Sequence, residues 1–282
     1  MFEGKRILVT GGTGSLGSAL IKRLLKFNVK VIRVYSRDEW KQVMMRQEIP
    51  DKRLRFLIGD VRDKERLNRA LEGIDIVFHT AALKHVPVAE YNPFEFIKTN
   101  VTGTQNVLDA GIDNEVELIL GIGTDKAVSP LNTYGATKLL MERLMVSANY
   151  YMGNRKTKSI CVRYGNVLGS RGSVVPVLHN QIMRGEKITI TDPKMTRYNI
   201  TMNQAVDLVF RAAKEGKGGE IFVPKLKAYT VEDIKNAIVE ITNKKPVVKI
   251  INARPGEKSH EILVSEDELR NTYESSKDYI IY

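Results

Sequence analysis

The chain has 282 residues, 43% hydrophobic and 27% charged, the composition of an ordinary globular protein of one large domain or two closely joined ones. No apolar run approaches the roughly 18 residues needed to span a membrane, and the opening MFEGKRILVTGG enters a strand at once, leaving no room for a signal peptide. The net charge of +11 and pI near 9.5 raise nucleic-acid binding, but the lysines are spread along the whole chain without aromatic–basic interleaving, so the excess charge points to anionic phosphate ligands and a solvated surface.

In chain order, RILVT (6–10) reads as a strand and SLGSALIKRLLKF (15–27) as a helix with apolar residues at helical spacing. Strands follow at 30–35, 54–60, 74–80, 117–123 and 159–165, with helical segments between them, notably 93–111 and 134–153. This alternation predicts an α/β fold, a doubly wound parallel sheet. Residues 1–165 are expected to form a Rossmann dinucleotide-binding domain. After residue 165 the rhythm changes: GNVLGSRGSVVP (165–176) reads as a loop. Beyond it come a helix, a short strand, a helix over MNQAVDLVFRAAKEG, the strand EIFVPK and a further helix. Residues 166–282 are read as mainly a smaller substrate-binding lobe, with 202–224 returning to the sheet. The single cysteine, Cys161, lies in an apolar run. It reads as a buried inert thiol and fits a reducing, cytoplasmic compartment.

The turn after the first strand is TGGTGSLG, with Gly11, Gly14 and Gly17 in the spacing G-x-x-G-x-x-G. Glycines there let the backbone approach a pyrophosphate, and the next helix points its first N–H groups at the anion. Thr13, Ser15 and Leu16 complete that turn. The second strand ends in YSRDEWK. Ser36 and Arg37, with Lys41 nearby, favour the 2′-phosphate of NADP over NAD; Asp38 and Glu39 suit the start of the next helix, with the alternative that Asp38 takes the ribose, as in NAD binding. Asp60 and Val61 suit an adenine edge, and Ala81 and Ala82 let a dinucleotide lie close to backbone. The histidines (His79, His85, His179, His260) are too scattered for a metal site, and no metal is expected.

Residues 124–138, TDKAVSPLNTYGATK, place Tyr134 and Lys138 in the spacing Y-x-x-x-K. A tyrosine needs a neighbouring cation to act as a base near neutrality, and Lys138 lies one helical turn on. TGGTGSLG, Y-x-x-x-K and the chain length together resemble an extended short-chain dehydrogenase/reductase over almost the whole chain. The resemblance implies that Tyr134 is the acid/base for a sugar hydroxyl and that Lys138 lowers its pKa and holds the nicotinamide ribose.

An epimerase needs only removal and return of hydride. A dehydratase needs a second base and a second acid. Thr124, Asp125 and Lys126 stand where the chain leaves the fifth strand, and this triplet resembles that of the inverting UDP-N-acetylglucosamine 4,6-dehydratases of flagellin and surface-sugar biosynthesis. The segments AALKHVP (81–87), RYGNVLGSRGSVVP (163–176), ITDPKMTRYNIT (190–201) and RPGEKSHEIL (254–263) strengthen the likeness. It implies a cytoplasmic hydro-lyase using NADP and a UDP-sugar, homo-oligomeric, with no nucleic-acid or membrane partner. Lys126 would be the base at carbon 5, Asp125 the acid for the departing hydroxyl and Thr124 a hydrogen bond to the carbon-4 oxygen. Lys84 and Asn166 would contact substrate, Arg197 and Arg254 would clamp the UDP phosphates, and Asn100 would hold backbone or a water under the site. Lys126 would have to be neutral when it acts, its pKa lowered by desolvation or a neighbouring cation, with burial under the nicotinamide the expected cause. The competing reading is a capsule-type epimerase of UDP-N-acetylhexosamines; a more distant one is a non-enzymatic NADP-sensing or nucleic-acid-binding protein. The inverting dehydratases that the chain resembles run some tens of residues past the point matching DYIIY.

Overall fold

The computed structural model describes residues 1–170, 174–252 and 256–282. Its large sheet is built first from β1 (Arg6–Thr10), β2 (Val31–Ser36), β3 (Leu54–Ile58), β4 (Ile76–His79), β5 (Leu118–Ile122) and β6 (Lys158–Val162), all parallel. Helices α1 (Ser15–Leu24), α2 (Glu39–Glu48), α3 (Lys64–Leu71), α4 (Val86–Tyr91), α5 (Pro93–Phe96), α6 (Gly103–Asp113) and α7 (Thr133–Tyr151) fill the connections. In space the order runs β6-β5-β4-β1-β2-β3. The winding therefore reverses between β1 and β4, where sheets of this kind open a crevice at their carboxyl edge.

Alternation along β1 shows why the sheet is covered on both faces. Ile7 and Val9 point into one core with Leu20, Ile21 and Leu24 of α1. Leu8 points into the other, with Leu67 of α3, Val107 of α6 and Met141 of α7. Cys161 is fully buried in that second core, and burial raises its thiol pKa well above the usual range.

Beyond β6 the chain forms β7 (Asn166–Val167), α8 (Val174–Met183), β8 (Ile188–Ile190) and β9 (Thr196–Ile200). Next come α9 (Met202–Glu215), β10 (Ile221–Pro224), β11 (Ala228–Thr230), α10 (Val231–Thr242), β12 (Val248–Ile250), β13 (Thr272–Glu274) and β14 (Asp278–Ile281). β10 joins the large sheet parallel to β6, and β14 and β13 extend it antiparallel. α9 packs its apolar residues Val206, Leu208 and Val209 into the same core as α1. The small lobe keeps a core of its own, with Leu178, Ile182, Ile188, Ile190, Ile234 and Ile238.

Two expectations need correction. The stretch read as one loop, 165–176, contains β7, which pairs with β9 through Asn166 and Asn199. The helix read over 93–111 is broken: α5 passes into a π turn at Ile97–Thr102 before α6 begins. The wide turn puts Asn100 where its side chain reaches out of the helix. Its Oδ1 accepts from Leu83 N (2.9 Å), and its Nδ2 donates to Leu83 O (2.9 Å) and Thr137 Oγ1 (3.1 Å). π turns recur at functional sites for this reason. This one ties the loop after β4 to α7.

Candidate active site

The residues expected to hold a dinucleotide come together at the carboxyl edge of β1 to β4. Gly11 sits at φ +64°, and a Cβ on it would lie 2.8 Å from the Ala81 Cα. The turn after β1 is therefore laid directly on the backbone after β4, with Ala81 as its floor and Ala82 exposed beyond it. Helix α1 starts at Ser15 behind Gly14, which provides no side-chain cap. The N–H groups of its first turn, beside Thr13 and Leu16, are left for an anion, and Gly17 is buried behind them. A pyrophosphate fits this cradle.

At the end of β2 the Ser36 hydroxyl accepts from Gln42 Nε2 (3.0 Å), so it has a structural partner. Asp38 caps α2 by accepting from Lys41 N (3.0 Å), and Lys41 Nζ turns back to the same carboxylate at 2.6 Å. Arg37 stays exposed, 3.6 Å from Asp60. Asp60 accepts from Arg62 Nε (2.9 Å) and Nη2 (2.7 Å). Burial pushes its carboxyl up, but Arg62 and then Arg37 outweigh that and hold it below the usual range. The Val61 side chain is core, packed where a Cβ on Gly103 would meet it.

The second group of residues sits after β5. Thr124 caps a short 3₁₀ turn, Asp125–Ala127, by accepting from Lys126 N. Its hydroxyl donates to Asp125 Oδ1 at 2.9 Å. Lys126 Nζ donates to the same oxygen at 3.0 Å and to Asn166 Oδ1 at 3.3 Å. Asp125 is fully buried, and its other oxygen, Oδ2, has no hydrogen-bond partner. A buried carboxylate oxygen left open is costly unless a proton or a ligand hydroxyl meets it.

Helix α7 begins at Thr133 behind Asn132, which accepts from Gly135 N (2.8 Å). Gly135 is required by close approach, because a side chain there would run into the Lys126 carbonyl. That approach brings Tyr134 up to the 3₁₀ turn. Burial raises the Tyr134 pKa to about 12, opposed by the Lys126 charge and the Thr124 hydroxyl. Lys138 is buried too, donating to Ile122 O and Met141 Sδ, and burial lowers its pKa to about 8.

Lys126 departs from expectation. Burial alone would lower its pKa, but the carboxylates of Asp125 and Glu261 outweigh burial and hold it above the ordinary value. Its surroundings therefore favour the ammonium form, where burial was expected to favour the neutral amine. Lys126 is also the cation that acts on Tyr134, a role expected of Lys138.

Lys84 is exposed at the rim, near enough to Lys126 that partial burial and then that charge lower its pKa. Arg197 donates to Thr196 O (2.8 Å) and Ser259 O (3.2 Å) and stands 3.7 Å from Glu257. Arg254 lies outside the described residues. His79 is a satisfied core histidine between Thr10 and Thr104, and burial lowers its pKa to about 3.

Three charged residues not singled out in the sequence belong to this region. Glu261 is buried 3.5 Å from Lys126, and Lys258 donates to Val128 O (2.5 Å). Arg163, buried at the end of β6, reaches Glu142 of α7 (2.7 Å) and Glu268 (2.7 and 2.8 Å). That cluster locks α7 to β6 and to the C-terminal segment. Their only sequence signal is membership of RYGNVLG and RPGEKSHE.

This fold and this site define an extended short-chain dehydrogenase/reductase. The chain belongs to the polysaccharide biosynthesis protein family, which matches residues 7–282. An uncharacterized membrane protein of Methanocaldococcus jannaschii is 50% identical over 100% of this chain and 86% of its own length. Among the residues described here, no helix is long and apolar enough to cross a membrane. An inverting UDP-N-acetylglucosamine 4,6-dehydratase of Campylobacter jejuni is 47% identical, covering 100% of this chain and 84% of that one. A protein named UDP-glucose 4-epimerase in Rickettsia rickettsii is 44% identical over 99% and 83%. The crystal structure of Pen from Bacillus thuringiensis superposes with a TM-score of 0.96 at 43% identity, covering 99% of this chain and 90% of that one.

Proposed function

We propose that the protein is a UDP-N-acetylglucosamine 4,6-dehydratase that inverts carbon 5, a hydro-lyase serving surface-glycan or flagellin sugars. The observation that carries the reading is the pairing of buried Asp125 with partly buried Lys126, 3.0 Å apart, with one Asp125 oxygen open. The similarity to the Campylobacter dehydratases supports it.

Gly11, Thr13, Gly14, Ser15, Leu16 and Gly17 would hold the pyrophosphate of a nicotinamide dinucleotide. Tyr134 and Lys138 would lie at its ribose. Arg37 favours NADP, because a 2′-phosphate supplies the doubly charged partner that its exposed guanidinium lacks. The chemistry such a cofactor supplies is reversible hydride storage, from carbon 4 of the sugar and back to carbon 6.

Tyr134, as the phenolate that the Lys126 charge and the Thr124 hydroxyl favour against burial, accepts the proton of the carbon-4 hydroxyl, which is hydrogen-bonded through Thr124. The ketone so formed acidifies the proton on carbon 5. The Asp125–Lys126 geometry then solves a problem of proton placement. The base must be a neutral amine, and the acid must be a protonated carboxyl. Movement of one proton along the 3.0 Å hydrogen bond, from Lys126 Nζ to Asp125, produces both at once. Lys126 takes the carbon-5 proton, Asp125 gives its proton to the carbon-6 hydroxyl, and water leaves. The site is returned to the ion pair from which it began. The proton gained by Tyr134 balances the one that carbon 5 receives on the opposite face. Lys84, Asn166, Arg197 and Arg254 are assigned to the UDP-sugar.

The rickettsial relatives' name favours a 4-epimerase as the second reading. An epimerase uses the tyrosine and the dinucleotide but has no work for a buried acid–amine pair. Incubation with UDP-N-acetylglucosamine followed by proton NMR separates the two. A dehydratase gives a carbon-6 methyl signal; an epimerase gives UDP-N-acetylgalactosamine with carbon 6 intact.

A further inference from the structure

Lys126, partly buried, is one of four charges in a row whose other three members are buried. Asp125 lies 3.0 Å from its amine on one side and Glu261 3.5 Å on the other. Lys258 then stands 3.5 Å from the second oxygen of Glu261, while its own amine donates to Val128 O. Glu261 and Lys258 come from the C-terminal segment, and Asp125, Lys126 and Val128 from the loop between β5 and α7. Asn132 Nδ2 donates to Gly256 O (2.8 Å) and Arg163 Nη1 to Leu263 O (3.0 Å), so the segment is tied down on both sides of Glu261. Such fastening is what an ion pair of this kind needs, because a buried charge is tolerated only in fixed company.

We propose that Glu261 is a positioning residue: its carboxylate, held by Lys258, fixes the Lys126 amine at Asp125 and keeps the shared proton on Lys126 in the resting enzyme. The inference rests on the dehydratase reading, in which that proton must cross to Asp125 for each turnover. The titratable groups facing Lys126 are Asp125 on its own turn, Tyr134 on α7, Glu261 on the C-terminal segment and Lys84 on the loop after β4. Lys258 reaches it through Glu261. Asp125 and Glu261 stabilise the ammonium, and Lys84 opposes it. Removing the Glu261 charge therefore destabilises the ammonium, and removing Lys258 does the opposite.

Two readouts on the full chain test this. The first is the pH dependence of Lys126 modification by formaldehyde and borohydride, followed on the Lys126 peptide by mass spectrometry. Only the neutral amine reacts. Glu261→Gln should raise the rate at pH 8 by about tenfold or more, since each pKa unit is a factor of ten in the neutral fraction. Glu261→Asp should restore slow modification, and Lys258→Met should slow it below wild type. The second is the alkaline limb of the dehydration pH profile, which marks loss of the shared proton. It should move to lower pH in Glu261→Gln and to higher pH in Lys258→Met. Variants are compared after their melting temperatures show that they fold, and either variant alone suffices, because the two shifts have opposite signs. Unchanged modification rates, or shifts of the same sign in both variants, would overturn the proposal. Absence of dehydration by the wild-type chain would overturn the functional reading alone, because the modification experiment still reports whether Glu261 controls Lys126.

Discussion

Lys126 and Lys138 stand on either side of Tyr134 and are both drawn out of water, yet their surroundings drive their proton affinities apart. Lys138 lies on the buried side of α7 with a carbonyl and a thioether as its hydrogen-bond partners, and burial prevails. Lys126 lies between Asp125 and Glu261, and the carboxylates prevail. Burial alone therefore says little about a lysine; the count of buried carboxylates within reach decides its charge. The comparison also separates two tasks. A lysine whose pKa is lowered to about 8 still carries its proton near neutrality but holds it less tightly than an exposed one. A lysine paired to a carboxylate is a proton store, and gives a base only by handing its proton to its partner.

The sharpest way to break this contrast is to remove each residue. Lys126→Ala should lower dehydration by about 10²–10⁴-fold, the usual contribution of general acid–base catalysis, while NADP binding measured by fluorescence titration stays unchanged. Near wild-type turnover would leave Lys126 without its assigned role. Arg37→Ala acts at the cofactor end of the site, away from both lysines. It should weaken NADP by about 1–3 kcal/mol, the range for a charge-assisted hydrogen bond, and leave NAD unaffected; equal losses for both would remove Arg37 from phosphate recognition. Asn132→Ala removes the α7 cap and should cost about 0.5–2 kcal/mol of stability in denaturant titration. It should also blur the contrast, because Asn132 fastens the segment that carries Glu261.

A further test is stability against pH. Lys138 has a folded pKa of about 8 against an ordinary 10.5. Between those values the unfolded chain binds more protons than the folded one, so this residue makes stability rise with pH across that window. Lys126, raised above its ordinary value, makes stability fall as pH climbs through its folded pKa. Lys138→Met should therefore flatten the rise between about pH 8 and 10.5 in thermal unfolding, and Lys126→Met should not. Identical profiles for the two variants would dissolve the distinction.

How much of this was legible in the sequence follows the same division. The glycine turn, the first six parallel strands and the Tyr134–Lys138 spacing are local patterns, set by periodicity and by contacts within a few residues. The triplet Thr124–Asp125–Lys126 was legible as chemistry, since its members are adjacent. The charge of Lys126 was legible only in part: Asp125 is adjacent, but Glu261 becomes its neighbour only through the return of the C-terminal segment. Arg163 with Glu142 and Glu268 escaped for the same reason. The π turn around Asn100 was hidden in a run of ordinary helical spacing, since what widens the helix there is a set of hydrogen bonds to Leu83 and Thr137 from elsewhere in the chain. Short strands such as β7 and β9 pair with each other rather than with a periodic pattern of their own.

The central claim is that a proton exchanged within the Asp125–Lys126 pair lets this site remove water from a UDP-sugar. Turnover of UDP-N-acetylglucosamine in deuterated water, with proton NMR and mass analysis of the product, tests it most directly. The account predicts a product lighter by one water, with deuterium at carbon 5, inverted configuration there, and no net reduced cofactor. A product of unchanged composition, or one that keeps its original hydrogen and configuration at carbon 5, would contradict it.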